Sequence, residues 1–147
     1  MRSSTLPVRA LAMAVAIGAG VIAAFQAALA VGVPWGEAAW GGGQATLSPE
    51  LRVASAVAAV VWALAVIVVL GRGGYWGTPR WATILRWGTW LVFALLVQGA
   101  IVNVASSSGW ERFGWGPMAL ITAVLCFQLA RGRMAVARGT GHPEETE

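Results

Sequence analysis

The charged residues of this 147-residue chain are gathered into short clusters, and four long uncharged runs separate them. The runs contain 27, 19, 24 and 18 residues and lie between Arg9 and Glu37, Arg52 and Arg72, Arg86 and Glu111, and Arg112 and Arg131. About 20 helical residues, each rising about 1.5 Å, cross the ~30 Å hydrocarbon core of a bilayer. The runs do not show the strict alternation of a barrel strand, and only a helix satisfies its backbone amides within one segment. The sequence therefore predicts four transmembrane helices.

Two alternatives compete with four retained spans. A soluble fold is disfavoured, because 58% of the residues are hydrophobic and 11% are charged, whereas soluble domains carry about 25% charged residues. The first run could instead be a signal peptide, since Arg2 and Arg9 precede it and Ala28-Leu29-Ala30 resembles a cleavage site. Its apolar part is longer than the usual ~7–15 residues of such peptides. We therefore favour an uncleaved first helix.

Helix-start signals help to place the spans. Ser48 before Pro49 is typical of an N-cap followed by a first-turn proline, Thr78 before Pro79 repeats the pattern, and Pro117 marks the start of the last helix. The predicted fold is an all-α membrane protein with four transmembrane helices in an antiparallel bundle. We place the spans near 9–33, 50–70, 80–104 and 115–131, with a disordered tail over 132–147.

The arginines predict the orientation of the bundle. All ten positive residues are arginine, eight of them on the side of the two termini and only Arg52 and Arg112 on the other. Under the positive-inside rule, both termini lie in the cytoplasm and residues 34–48 lie outside the plasma membrane. Because the arginines flank spans and form no basic reading module, we expect no nucleic-acid partner.

Small residues recur at every fourth position of the first helix, at Ala12, Ala16, Gly20, Ala24 and Ala28. Small side chains let helix backbones approach closely in lipid. We expect this stripe to form the contact between the first and second helices.

The first loop, "GVPWGEAAWGGG" over residues 32–43, is unusually rich in both glycine and tryptophan. Tryptophan is common at membrane interfaces, so Trp35 and Trp40 can be simple anchors. Glu37 between them has no such explanation. The alternative is a loop folded back over the helix ends as a lid, with Glu37 paired to Arg52 or Arg112.

Such a lid would cover polar groups in the outer halves of the helices. Gln26, Gln98 and Asn103 lie there, either as interhelical hydrogen-bonding groups or as a polar floor for a bound lipophile. The rim of this candidate binding site contains Glu37, Glu50, Arg52, Glu111 and Arg112.

The spans offer little for catalysis or for a cofactor. No acidic or basic side chain lies in mid-span, and the only histidine, His142, is in the tail. Metal sites therefore lack donors, and we expect no cofactor. Cys126 is a lone thiol with the pattern of a buried apolar residue. Ser106-Ser107-Ser108 has no histidine partner and indicates a flexible turn.

Three segments together resemble a group of small uncharacterised bacterial four-helix membrane proteins: PWG-x3-WGG after the first span, LSPELR at the second and WGP before the last. The resemblance implies the fold and the membrane, with no catalytic residues to transfer. We expect a non-enzymatic accessory or scaffold protein that binds membrane lipid or another membrane protein through its outer loop. A carrier or channel for a small lipophilic solute is the alternative, followed by an intramembrane enzyme. The oligomeric state stays open.

Overall fold

The computed structural model describes residues 7–132, most of which lie in four long helices. These are α1 (Val8–Ala30), α2 (Pro49–Arg72), α3 (Ala82–Ala105) and α4 (Gly116–Arg131). A 3-10 turn (Pro79–Trp81) leads into α3, and a π-helical turn (Glu111–Trp115) leads into α4. With these turns the helices contain 23, 24, 27 and 21 residues, and each is long and apolar enough to cross a membrane. The prediction of four spanning helices is confirmed in this sense.

α1 ends before the predicted boundary at residue 33. Gly32 adopts a left-handed φ of 96°. Its N–H and that of Val33 donate to the carbonyls of Leu29 and Ala28, both at 3.0 Å. These are the two hydrogen bonds of a Schellman motif, in which a left-handed glycine terminates the helix. Apolar composition continues through Val33, so hydropathy alone placed the end too late.

The helix starts follow the predicted signals only in part. Ser48 caps α2 as expected, because its hydroxyl accepts a 3.5 Å hydrogen bond from the Leu51 N–H. Pro117 occupies the first turn of α4. Thr78 makes no side-chain cap, and the chain passes through the 3-10 turn before α3 begins.

A cluster of aliphatic and small side chains fills the middle of the bundle. α1 packs most extensively against α2, and α3 against α4. The largest fully buried side chains of the cluster are Val15, Val69, Leu96 and Leu129. This core contains apolar side chains from all four helices.

The stripe of small residues predicted along the first helix is only partly buried in the bundle. Ala12, Ala16 and Ala19 are buried, whereas Gly20 is partly buried and Ala24 is exposed. Four residues turn a helix by about 400°, so a strict every-fourth pattern drifts about 40° per step around the helix. The buried face follows steps of four and three residues instead.

The bundle has two ends, and we name each one after a residue that lies there: the Trp40 end and the Arg72 end. At the Trp40 end, Arg52 Nε on α2 donates to the carbonyl of Ala30 at 3.0 Å. At the Arg72 end, Arg72 donates to the carbonyls of Ala130, at 3.4 Å, and Gly132. The predicted tail, apart from Gly132, lies outside the described residues, as do Arg2, Arg133, Arg138 and His142.

Candidate functional site

The loop between α1 and α2 folds back over the helix ends as a packed cap, residues 36–47. Two 3-10 turns, Gly36–Ala38 and Trp40–Gly42, give it its shape. Ala39 and Leu47 are each 5% exposed and pack with the fully buried Leu29. The Gly36 N–H donates to the carbonyl of Ala45 at 2.8 Å and closes the cap on itself. The loop is therefore a small folded unit.

Trp40 links the cap to α2, and its own backbone conformation is strained. Its φ of 52° makes it the one non-glycine residue with a positive φ within residues 7–132, and Gly41 and Gly42 follow at 84° and 72°. Such a conformation costs a non-glycine residue about 1–3 kcal/mol. Trp40 Nε1 donates to the hydroxyl of Ser55 at 3.0 Å, and Ser55 is fully buried. This hydrogen bond gives a buried hydroxyl its partner and helps to offset the strain.

The turn before α4 anchors the other side of the cap. The Ser107 hydroxyl donates to the Gly41 carbonyl at 2.9 Å, and the Ser108 hydroxyl donates to the Glu37 carbonyl at 2.7 Å. The Gly41 N–H donates to Glu111 Oε2 at 3.0 Å. The cap is thus hydrogen-bonded to a segment about 70 residues away in the chain.

The hydroxyls of all three serines of this turn form hydrogen bonds, and the sequence pattern did not indicate these contacts. The Glu111 N–H donates to the Ser108 hydroxyl at 3.4 Å. A Ser-x-x-Glu sequence is the signature of a capping box at a helix start. That signal was present at residues 108–111 and was missed.

A cavity of about 570 Å³ lies beneath the cap, and we call it the Trp40 cavity. Its walls are mainly apolar and aromatic, with side chains such as Phe25, Trp40, Trp62 and Trp115. Its polar lining side chains are Gln26, Asn103, Ser106, Ser107 and Glu111. The Oε1 atom of Gln26 is buried without a hydrogen-bond partner among the described residues. Asn103 Nδ2 donates to the carbonyl of Gly99 at 2.8 Å.

Gln98 does not belong to this polar group. It is exposed and lies two residues after the fully buried Leu96 on α3. Two residues turn a helix by about 200°, so Gln98 lies on nearly the opposite face. The structure brings together Gln26 and Asn103 of the predicted polar floor and leaves Gln98 outside.

Glu111 is the acidic residue of the cavity. It is 8% exposed and is the one ionisable side chain among the described residues that line this space. Its Oε2 atom accepts hydrogen bonds from the Gly41 N–H and from the Ser106 hydroxyl. Both bonds fall on the same oxygen, which leaves Oε1 available to a ligand.

Glu37 is placed differently from the prediction. Its side chain is exposed. Arg52 donates to the Ala30 carbonyl, and Arg112 donates to the Ser106 carbonyl at 2.7 Å. Both arginines thus bind backbone oxygens, and the predicted ion pair with Glu37 is not formed within residues 7–132. Glu50 is exposed at the start of α2 and does not line the Trp40 cavity.

A second space of about 640 Å³ lies beside the first and includes the predicted residues Trp35 and Glu37. Phe25 and Trp115 line both spaces, with ring centroids 4.4 Å apart. Trp35 and Trp110 at its edge are 53% and 70% exposed. Exposed aromatic side chains therefore form part of the wall of this second space.

No group of three or more histidine, cysteine, aspartate or glutamate side chains comes together within residues 7–132. Cys126 is fully buried in the core. By fold and site, residues 7–132 are all-helical, with four helices of membrane-spanning length and a capped cavity at one end. Comparisons with family models, with curated proteins and with solved structures found no match to this chain.

Proposed function

We propose that this chain is a multi-pass protein of the plasma membrane that binds one amphiphilic molecule, such as a membrane lipid, in the Trp40 cavity. The observation that carries the proposal is a space of about 570 Å³ under an ordered cap. Small-molecule sites typically enclose about 300–1,000 Å³, with mainly apolar walls and a few polar groups. The aromatic walls suit an acyl chain, and the polar side chains near the cap suit its polar group.

The arginines support an orientation for this site. The Arg72 end contains five of the described arginines: Arg9, Arg72, Arg80, Arg86 and Arg131. The Trp40 end contains Arg52 and Arg112. The positive-inside rule then assigns the Arg72 end and both termini to the cytoplasm, and the antiparallel bundle presents the cap outside.

The packing below the cavity favours binding over conduction. A carrier or channel for a lipophilic solute needs an open passage through the bundle, and closely packed side chains fill such a passage. The fully buried side chains of Val15, Leu96, Cys126 and Leu129 occupy the middle of the bundle. A carrier or channel function therefore ranks below a binding or accessory role.

We assign no catalytic step to the cavity. The Ser106 and Ser107 hydroxyls donate hydrogen bonds to Glu111 and to the Gly41 carbonyl. These hydrogen bonds hold the cap in place, and this structural role accounts for both hydroxyl groups.

Filling the cavity tests the proposal. Gly99 lines the cavity, and an added Cβ there meets no atom within 4 Å, so Gly99→Leu adds bulk at the cavity wall without a close contact at Cβ. The matched control is Gly109→Leu, which is equally open and lies outside both spaces. Native mass spectrometry of protein solubilised in a mild maltoside detergent should show a copurified lipid in the wild type and in Gly109→Leu. The Gly99→Leu variant should lack it.

Equal lipid retention in all three proteins would refute binding in the Trp40 cavity. A copurified protein that stays bound to all three, with no lipid in any of them, would instead support the scaffold role. Thermal unfolding of each variant shows whether a loss of lipid reflects a loss of fold.

A further inference from the structure

The Trp40 cavity also carries information about the polar group that it would accept. Resting on the proposed function, we infer that the site selects an amphiphile with an ammonium group, which is bound by Glu111 and Gln26 under the cap. The ammonium can belong to a lipid headgroup or to a free long-chain amine, and the two sources share the same chemistry.

The first argument is the uncompensated carboxylate. Glu111 is 8% exposed, and the described residues that line the cavity include no cationic side chain. Its hydrogen bonds come from a backbone N–H and a serine hydroxyl, both to Oε2. A buried carboxylate is stabilised by a nearby positive charge. An ammonium group at Oε1 would supply both the charge and a donor.

The second argument is an unused acceptor in the same cavity. Gln26 Oε1 is buried and accepts no hydrogen bond among the described residues. Buried polar atoms in native proteins nearly always have a partner, so one that lacks it and lines a cavity indicates a missing donor. A primary ammonium has three N–H donors and can serve more than one acceptor.

The third argument is the aromatic lining. Trp40, Trp62 and Trp115 line the cavity together with Phe25. The face of an indole ring attracts a cation, with tryptophan the strongest of the aromatic residues in this respect. The same rings pack against methylene groups, so they suit both parts of a cationic amphiphile.

The arginines at this end do not favour an anion. Arg52 and Arg112 donate to backbone carbonyls and line neither space. An amphiphile whose one charged group is a phosphate or sulfate would place that group beside Glu111, where the carboxylate would repel it. The cavity therefore discriminates by charge sign.

The experiment compares three probes that share a twelve-carbon chain: dodecylamine, dodecanol and dodecyl sulfate. Each is titrated into wild-type protein in phosphatidylcholine nanodiscs, and tryptophan fluorescence is corrected with empty nanodiscs. We expect dodecylamine to bind about 10- to 100-fold more tightly than dodecanol, the size of one charge-assisted hydrogen bond. Dodecyl sulfate should bind most weakly.

Glu111→Gln should reduce the preference for the amine over the alcohol to within about threefold, because it removes the charge and keeps a side chain of the same shape. The matched control is Glu50→Gln, which removes the same charge from an exposed position at the same end. It should keep the preference. Nanodiscs that contain phosphatidylethanolamine then separate the two sources. If the site binds the ammonium of a lipid headgroup, this lipid should displace dodecylamine, whereas a site for free long-chain amines should keep dodecylamine bound.

Wild-type protein that binds dodecanol as tightly as dodecylamine would overturn the ammonium inference and leave the proposed function intact. This comparison needs no variant, so it holds even if Glu111→Gln loosens the cap. If Glu50→Gln abolished the preference as fully as Glu111→Gln, surface charge would explain it and the inference would fall. If no probe bound and no lipid copurified, the proposed function itself would fall.

Discussion

Gly36 is the point where the cap passes closest to itself. Gly36 is buried, and a Cβ added there would clash with the carbonyl oxygen of Gln44. The same Cβ would lie 2.9 Å from the carbonyl oxygen of Ala45 and 2.9 Å from Leu47 Cδ2. Two of these three neighbours are backbone atoms, which cannot turn aside as a flexible side chain does. The 2.8 Å hydrogen bond from the Gly36 N–H to the Ala45 carbonyl also keeps the two halves of the loop together. Gly36→Ala should therefore loosen the cap.

The expected size follows from overpacking. Forcing an extra methyl group into a closely packed site costs about 1–3 kcal/mol. Because each ~1.4 kcal/mol is a tenfold change in an equilibrium constant, the population of the open cap should rise about 5- to 150-fold. Helix packing elsewhere should change little, since the three atoms nearest to the added Cβ all belong to the loop.

Thiol labelling measures this opening. Ala39 is 5% exposed in the closed cap, so Ala39→Cys reports on cap opening in a Cys126→Ser background. The Gly36→Ala protein should be labelled faster by the factor above. The control is Gly43→Ala, where the added Cβ meets nothing within 4 Å and φ is −72°. Equal labelling rates for Gly36→Ala and Gly43→Ala would refute the close packing of the cap.

Three further predictions concern packing, the Trp40 hydrogen bond and orientation. Gly18→Ala should cost about 1–3 kcal/mol in detergent unfolding, because its Cβ would lie 2.7 Å from Thr122 Oγ1; Gly99→Ala, in open space, should cost nothing, and equal losses would refute the contact. Trp40→Phe should favour cap opening by about 1–3 kcal/mol because it leaves the buried Ser55 hydroxyl without its donor; adding Ser55→Ala should recover most of that loss, and labelling of Ala39→Cys measures both. Ala45→Cys in the Cys126→Ser background should react with an impermeant maleimide from outside intact cells, and labelling only after permeabilisation would reverse the proposed orientation.

Local chemistry in the sequence determined the number of helices and some of their limits. An uncharged run long enough to span a bilayer has few alternatives to a helix. Ser48 also caps α2 as predicted, because an N-cap hydrogen bond joins residues only three apart. The end of α1 required the left-handed φ of Gly32, which the surrounding apolar residues conceal.

The direction in which each side chain points depended on helix rotation. Gln98 and Asn103 both lie in the second half of α3, yet only Asn103 lines the cavity. In the same way, Ala16 is buried and Ala24 is exposed, although both belong to one stripe of small residues. Sequence spacing sets the angles between side chains around one helix, whereas contact with the other helices decides which face of that helix points inwards.

Only the tertiary structure decided which acid lies in the site. Glu37 and Glu111 both follow a tryptophan at the same end of the bundle, and the position of Glu37 between two tryptophans favoured it as the central acid. The fold buries Glu111 because Gly41 and Ser106 donate hydrogen bonds to its carboxylate, while Glu37 stays exposed and offers its backbone carbonyl to Ser108. The Gly41 and Ser108 bonds join segments about 70 residues apart, so no local pattern could reveal them.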